Sequence, residues 1–148
     1  MGLAEHSKPI EILLVEDSVT DELMVKAAFE SAKVAIHLHV VDNGVDAMAF
    51  LRHEGPHANA PGVHLILLDL NLPKKNGQEV LAEIKADAQR RMIPVVVLTS
   101  SQTEADILQA YGLYANCYIT KPIDLAGFAE VIRAIEQFWF AVASLPQR

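Results

Sequence analysis

The chain has 148 residues, of which 51% are hydrophobic and 21% are charged, and its formal net charge is −7. These values are typical of one globular domain and argue against a disordered chain. The acidic balance argues against a broad nucleic-acid-binding surface, and no apolar run approaches the roughly 20 residues that span a bilayer. The single cysteine, Cys117, excludes an internal disulfide and a cysteine-based metal site. We therefore expect a soluble cytoplasmic protein without nucleic-acid or membrane partners.

Five short apolar runs alternate with five stretches of helical periodicity. In chain order they predict a strand at 10–15, a helix at 18–31, a strand at 37–41, a helix at 44–53, a loop at 53–63, a strand at 64–68, a helix at 77–88, a strand at 94–99, a helix at 103–112, a strand at 117–120 and a helix at 124–144. Near-continuous apolar strands favour a sheet that is covered on both faces. The pattern therefore predicts an α/β fold with a five-stranded parallel sheet and helices on both sides.

Local signals mark where several of these elements begin and end. Ser18 with Asp21 three residues later predicts a variant of the capping box at the first helix. Thr103 and Asp124 are the expected caps of the last two helices, and Gly112 is the expected end of the fourth. The Gly and Pro content of the loop at 53–63 predicts that it has no regular structure.

Polar residues lie at the carboxyl ends of four of the predicted strands. Glu16 and Asp17 follow the first strand, Asp69 follows the third, Thr99 ends the fourth, and Lys121 follows the fifth. The carboxyl ends of parallel strands meet at one edge of the sheet, where ligands bind. Converging carboxylates repel one another unless a cation joins them, and a set of oxygen ligands without His or Cys favours Mg²⁺.

A carboxylate beside a hard cation and a lysine is suited to attack on phosphorus. The cation and the ammonium neutralise the charge on the phosphoryl oxygens, and the Thr99 hydroxyl can donate a hydrogen bond to them. The sequence therefore predicts that Asp69 accepts a phosphoryl group. Because its ammonium follows an exposed strand end, Lys121 is expected to contribute little to folding stability.

Four motifs resemble the receiver domain of two-component response regulators. They are "LLVEDS", "LLDLNLPKKNG", "VVVLTS" and "CYITKP", and the resemblance covers residues 10–143. It implies a doubly wound, flavodoxin-like sheet with strand order 2-1-3-4-5. Residues 1–8 would then be an N-terminal extension, and residues 9–148 would form a single receiver domain with a C-terminal helix and a short tail.

The resemblance also implies a role for each motif residue. Asp69 would take the phosphoryl group from a phosphohistidine on a partner histidine kinase, as a phosphoacceptor and not as a turnover enzyme. Mg²⁺ would bind Glu16, Asp17, Asp69 and the backbone carbonyl of Asn71. Glu16 departs from the aspartate of many members, and its extra methylene alters the expected metal geometry.

Other family features fall near the fourth and fifth strands. Thr99 and Lys121 would contact the phosphoryl group, and Thr99 and Tyr118 would act as switch residues. The peptide bond between Lys121 and Pro122 would be cis, which is energetically accessible before proline.

A narrower resemblance points to the single-domain response regulators that partner phytochrome-type histidine kinases. The stretches "DLNLPKKNGQEVLAEIK" and "NCYITKP" and the aromatic end "FWF" carry it. The expected partner is then a bacterial phytochrome. Phe138, Trp139 and Phe140 cannot all face one core, since adjacent helical side chains point about 100° apart. We therefore expect a homodimer through the fourth and fifth helices and the strand between them, with these aromatics in the interface.

Two other functions use similar residues. A phosphatase of the haloacid-dehalogenase type also uses Asp, Thr or Ser, Lys and Mg²⁺, but its two aspartates follow the first strand two residues apart. An inactive receiver could act as a binding module, although the complete residue set argues against it. Elsewhere, His37 and His39 share one strand face, as a metal pair would, and edge-strand polarity explains them equally well.

Overall fold

The computed structural model describes residues 9–30, 35–99, 102–110, 112–113, 115–121 and 125–136. The strands are β1 Ile10–Val15, β2 Ile36–Val41, β3 Leu65–Asp69, β4 Val95–Thr99 and β5 Cys117–Thr120. The helices are α1 Val19–Glu30, α2 Gly44–Arg52, α3 Gly77–Ala86, α4 Gln102–Ala110 and α5 Leu125–Glu136. The predicted extension at residues 1–8 and the end of the predicted last helix lie outside the described residues.

All five strands are parallel and form one sheet in the order β2-β1-β3-β4-β5. This order confirms the predicted doubly wound topology. Every residue of β3 and β4 is buried, which explains why both strands are almost purely apolar in sequence. The predicted strand bounds differ slightly, because β3 extends to Asp69 and so includes the acidic residue that was expected to follow it.

The core has two halves, one on each face of the sheet. Apolar residues of α2, α3 and α4 pack with Leu13, Ile66 and Val97 on one face. Residues of α1 and α5 pack with Leu14 and Leu67 on the other. Since alternate strand residues face opposite sides, both faces of the central strands remain covered by helices.

Asparagine side chains cap the N-termini of α2 and α3. Asn43 accepts a hydrogen bond from the backbone N–H of Asp46 at the start of α2. At α3, Asn76 accepts from the Glu79 N–H at 2.9 Å, and the Glu79 carboxylate accepts from the Asn76 N–H at 3.1 Å. This reciprocal pair is a complete capping box, which satisfies two backbone donors that would otherwise lack partners.

Two sequence predictions of local structure were wrong. Residues Gly55–His57 form a one-turn 3-10 helix inside the loop that was expected to be irregular. Proline is accepted there because its missing N–H lies in the first turn of the helix. Thr103 lies inside α4, which begins at Gln102, and is therefore not its cap. Gly112 does follow the end of α4, with φ of 74°, as a C-terminal glycine should.

The paired histidines of β2 contact one carboxylate on β1. His39 Nε2 lies 2.7 Å from Glu11 Oε1, and His37 Nδ1 lies 3.1 Å from Glu11 Oε2. The two rings use different oxygens, and this trio is not among the described groups whose ligand atoms lie within 4.8 Å of one another. These contacts with Glu11 favour the explanation by edge-strand polarity over a metal site.

Within the described ranges, no helix is both long and apolar enough to cross a membrane.

Candidate phosphoacceptor site

Asp69 ends β3 at the carboxyl edge of the sheet and is buried there. It lies opposite Leu98 of β4, and the next residue, Leu70, donates its N–H to the Leu98 carbonyl at 3.2 Å. Asp69 Oδ1 accepts a hydrogen bond from the Asn71 N–H at 3.0 Å. The β3 strand and the turn after it therefore fix the carboxylate at the centre of the sheet edge.

Two further carboxylates follow the neighbouring strand β1. Glu16 is buried and Asp17 is exposed, and one carboxylate oxygen of each lies within 4.8 Å of an oxygen of Asp69. The Glu16 N–H donates to the Val41 carbonyl of β2, which continues the β1–β2 ladder to the site. Glu16, Asp17 and Asp69 thus form a compact acidic cluster, as the strand ends predicted.

Lys121 follows β5 and reaches across the edge of the sheet to this cluster. Its Nζ lies 3.0 Å from Glu16 Oε1 and 3.2 Å from Asp69 Oδ2. A third carboxylate, Asp21 Oδ2 on α1, lies 2.9 Å from the same nitrogen. The Lys121 side chain is only 16% exposed, so its ammonium does not lie in the exposed position at the strand end that was expected. Its methylenes cross the sheet edge, and only a small part of the side chain meets water.

The close approach of these groups changes their pKa values. Burial raises the pKa of Glu16 to about 7, and the neighbouring Asp69 carboxylate adds to this, while Lys121 opposes it. Burial alone would lower the pKa of Lys121, but its hydrogen bonds to Asp21 and Glu16 and the charge of Asp69 raise it above its ordinary value. Lys121 is therefore firmly protonated and supplies one positive charge to an acidic site.

The start of α1 differs from its prediction in a way that affects the site. Ser18 Oγ accepts a hydrogen bond from the Asp21 N–H at 3.3 Å, which is one half of the expected capping box. The Ser18 N–H, however, donates to Glu16 Oε2 at 3.1 Å. The Asp21 carboxylate instead contacts Lys121. Sequence reasoning treated Asp21 only as part of the cap and missed its place in the site.

The loop between β3 and α3 passes close to the acceptor. Asn71 is exposed, and with Asp17 and Asn76 it lines a cavity of about 430 Å³ beside the acidic cluster. At the far end of the loop, Gly77 donates its N–H to the Leu70 carbonyl at 3.0 Å. The loop therefore leaves the sheet and returns to it within a few residues of Asp69.

The two predicted switch residues lie on β4 and β5. Thr99 is buried at the end of β4, and its carbonyl accepts the Lys121 N–H at 2.7 Å. Tyr118 is half-buried and packs against the half of the core that α2, α3 and α4 cover. Its hydroxyl accepts a hydrogen bond from the Ala115 N–H at 3.4 Å. Pro122, with the predicted cis peptide bond, and the aromatics Phe138, Trp139 and Phe140 lie outside the described residues.

The donor chemistry of the acidic cluster fits a hard divalent cation. Its ligands are all carboxylate oxygens, which Mg²⁺ prefers. Glu16 Oε1 is buried and accepts no well-aligned hydrogen bond in the part of the chain that the structure describes, although Lys121 Nζ lies 3.0 Å away. A cation would satisfy this oxygen and offset the mutual repulsion of the carboxylates. The three residues can therefore hold Mg²⁺.

Comparison with known proteins agrees with this geometry. The response regulator receiver domain family matches residues 12–133. Response regulator Rcp1 of Synechocystis sp. is 45% identical over 142 residues, which are 96% of this chain and 97% of Rcp1. The phosphorylated cyanobacterial phytochrome response regulator RcpA is 47% identical, with a TM-score of 0.83 over 95% of this chain and 100% of its own. The Mn²⁺-bound form of Rcp1 has a TM-score of 0.81 at 45% identity, over 94% of this chain and 100% of its own.

These matches decide among the functions that the residues alone left open. They do not favour a phosphatase of the haloacid-dehalogenase type or an inactive binding module. Receiver domains bind Mg²⁺ and work with a histidine kinase, and the acidic cluster and Lys121 occupy the corresponding edge of this sheet. With most of its length matched to the family and to Rcp1, the chain belongs to the response regulator receiver domain family.

Proposed function

We propose that the chain is a phosphorylation switch in which Asp69 receives a phosphoryl group from a bacterial phytochrome histidine kinase. The observation that carries the proposal is the position of Asp69 Oδ2, 3.2 Å from Lys121 Nζ and within the Glu16–Asp17–Asp69 cluster. The phytochrome link is supported by the likeness to RcpA, a phytochrome response regulator. The chain would act in the cytoplasm, as a phosphoacceptor and not as a turnover enzyme.

In the proposed step an Asp69 oxygen attacks the phosphorus of the kinase phosphohistidine. A P–O bond forms, the P–N bond breaks, and the imidazole leaves with the electron pair. Bound Mg²⁺ would supply charge neutralisation for the phosphoryl oxygens. Lys121, held protonated beside Asp69, donates hydrogen bonds to those oxygens, and the Thr99 hydroxyl is proposed to do the same at the end of β4.

Labelling by acetyl phosphate tests the acceptor without a kinase. In this reaction the Asp69 oxygen displaces acetate, so one phosphoryl group is added to the protein. Intact mass should show one Mg²⁺-dependent phosphorylation of the wild type and none of Asp69→Asn. Asp106→Asn, which changes an exposed aspartate on α4, is the matched control and should label normally. Stoichiometric labelling of Asp69→Asn would overturn the assignment.

An exposed apolar pair on α1 supports a kinase contact beside the acceptor. Val19 and Leu23 are 69% and 58% exposed, and they lie one helical turn apart. The helix begins directly after Asp17 and Ser18, so this pair lies next to the acidic cluster. Large apolar side chains on one surface are typical of a contact with another protein. We propose that the kinase domain that carries the phosphohistidine covers this pair.

Comparing two phosphodonors tests the proposed contact. Leu23→Glu should slow phosphotransfer from a bacterial phytochrome kinase and leave labelling by acetyl phosphate unchanged. Met92→Glu is the matched control, since Met92 is 68% exposed but precedes β4, at the opposite end of the sheet. Equal effects of Leu23→Glu on both donors would indicate damage to the acceptor, and no effect on either would remove the contact.

We also propose that the chain forms a homodimer through its fourth and fifth helices and the strand between them. The proposal is supported by the sequence of three adjacent aromatics, Phe138, Trp139 and Phe140, which would point about 100° apart in a continuous helix. Twofold dimers with identical contact surfaces are the commonest oligomers, and such a contact would cover an aromatic side chain that leaves the core. Sedimentation should show a dimer for the wild type and a monomer for Phe138→Glu/Phe140→Glu. A wild type that stays monomeric at tens of micromolar, phosphorylated or not, would contradict it.

A further inference from the structure

The Lys121 ammonium has three N–H donors and lies within hydrogen-bond reach of three carboxylates. Two of these carboxylates, Glu16 and Asp69, belong to the acidic cluster. The third, Asp21, comes from the first turn of α1 and makes the shortest of the three ion-pair contacts, at 2.9 Å. Glu16 would be a ligand of the metal ion, and Asp69 would carry the phosphoryl group. Of the three partners, Asp21 alone would then keep its carboxylate available to Lys121.

The local hydrogen bonds leave the Asp21 carboxylate available for this contact. In a complete capping box, the side chain at this position would accept the N–H of the capping residue. Here the Ser18 N–H donates to Glu16 Oε2 instead. Ser18 Oγ still accepts the Asp21 N–H, so the backbone of Asp21 is fixed while its carboxylate points to Lys121.

Both partners of the Asp21–Lys121 pair are mostly removed from solvent. The Lys121 side chain is 16% exposed and the Asp21 side chain is 19% exposed. Water therefore screens this pair less than it screens a surface ion pair. The ion pair of the next residue, Glu22 with Lys26 at 2.7 Å, is more exposed and lies along the same helix.

We propose that Asp21 is a positioning residue that holds Lys121 Nζ beside Asp69 when Glu16 and Asp69 are engaged. The inference rests on the proposed function, since it concerns the same phosphoryl transfer. A lysine has a long flexible side chain, and its Nζ can leave a site when nothing fixes it. With Glu16 turned to a cation and an Asp69 oxygen bonded to phosphorus, Asp21 still anchors the ammonium from the α1 side.

Two substitutions with the same change in charge separate positioning from general electrostatics. Asp21→Asn removes the anchor, and Glu22→Gln removes the adjacent, more exposed carboxylate. Acetyl phosphate is an anion, so the loss of a nearby negative charge should by itself speed labelling. We expect Asp21→Asn to slow labelling at saturating Mg²⁺ about tenfold, the effect of losing one charge-assisted hydrogen bond. Glu22→Gln should stay within about twofold of the wild type, as for other surface ion pairs.

A second measurement distinguishes Asp21 from the metal ligands. Mg²⁺ affinity, measured by calorimetry, should be nearly the same in Asp21→Asn and the wild type, because Asp21 lies outside the acidic cluster. Asp21→Glu keeps the carboxylate and should regain most of the lost labelling rate. It also serves as the folded comparison if Asp21→Asn is unstable to urea.

The outcomes separate this inference from the proposed function. A wild type that labels while Asp21→Asn labels as fast or faster would overturn the role of Asp21 alone. Equal slowing by Asp21→Asn and Glu22→Gln would also overturn it, because the effect would then be one of net charge. A wild type that gains no phosphate on Asp69 would overturn the proposed function itself.

Discussion

The first residue of α3, Gly77, packs directly against the backbone of the acceptor residue Asp69. A β-carbon added to Gly77 would lie 2.3 Å from the Asp69 carbonyl oxygen and 2.5 Å from the Leu70 α-carbon. Both obstacles are backbone atoms, so no side-chain rotation can relieve the overlap. The requirement for glycine here comes from close approach of two chain segments and not from a left-handed backbone conformation.

Gly77→Ala should therefore destabilise the fold and disturb the acceptor together. Overpacking of this kind typically costs about 1–3 kcal/mol, and the backbone that must shift carries Asp69. We expect the midpoint of urea unfolding to fall and the rate of labelling by acetyl phosphate to fall with it. Denaturation curves and labelling time courses on the same preparation measure both effects.

Gly55→Ala is the control for the substitution itself. Gly55 has φ of 56° and lies in the loop after α2, where a β-carbon would meet no atom of the described residues within 4 Å. Alanine there carries only the backbone cost of roughly 1–2 kcal/mol. The stability of the Gly55→Ala protein should fall, while its labelling rate per folded molecule stays at the wild-type value. Wild-type stability of Gly77→Ala would show that the loop can move away from Asp69 at no cost.

Asp17→Asn should weaken Mg²⁺ binding without unfolding the chain. Asp17 is the exposed member of the acidic cluster, so its charge contributes to the binding of the cation and little to the stability of the core. Loss of a direct ligand should cost at least as much Mg²⁺ affinity as the roughly 10- to 100-fold that is typical of residues that hydrogen-bond to metal ligands. Calorimetric titration with Mg²⁺ measures the change, with Asp106→Asn as the control. An unchanged Mg²⁺ affinity would exclude Asp17 from the ligand set.

Lys121→Ala should destabilise the fold as well as impair phosphotransfer. Its ammonium lies within 3.2 Å of Glu16, Asp21 and Asp69, and removal leaves these carboxylates facing one another. We expect a loss of about 2 kcal/mol near neutral pH, as for other charged hydrogen bonds. Lys26→Ala removes an exposed ammonium and should change stability by less than about 0.5 kcal/mol. Equal urea midpoints for Lys121→Ala and the wild type would support the expectation from sequence that Lys121 contributes little to folding stability.

The sheet and the edge that carries the site could be predicted from sequence for a physical reason. Strands buried on both faces must be continuously apolar, so a charged residue at the end of such a run is conspicuous. Asp69 after "LILL" is of this kind, whereas Lys121 follows the partly exposed edge strand "CYIT" and is less conspicuous. Parallel topology then brings the strand ends together without any knowledge of side-chain geometry.

Other features depend on geometry that the pattern does not carry. Asp21 has the sequence position of a capping residue, and only the Ser18–Glu16 hydrogen bond redirects its carboxylate to Lys121. The close approach of Gly77 to Asp69 depends on the path of the intervening loop. The Asn76–Glu79 capping box, by contrast, has the expected spacing and could have been identified from sequence.

The raised pKa of Glu16 predicts how stability depends on pH in the absence of metal. Its folded-state pKa of about 7 exceeds its ordinary value of 4.5, because the fold favours the protonated form. This contribution to stability is fully present below the unfolded pKa and is lost as the pH rises through about 7. The metal-free wild type should therefore lose about 2 kcal/mol from this group between about pH 5.5 and pH 8.

Urea unfolding of wild type and Glu16→Gln in EDTA, at both pH values, isolates the effect. Glutamine cannot titrate, so the stability of the Glu16→Gln protein should lack the part of the decline with rising pH that belongs to Glu16. The lowered pKa of Asp87 is common to both proteins and cancels in the difference. Because Mg²⁺ requires the carboxylate form, its affinity for the wild type should rise with pH across the same range, with proton release on binding. Parallel pH profiles for the two proteins would mean that Glu16 is already ionised at pH 5.5 in the folded state.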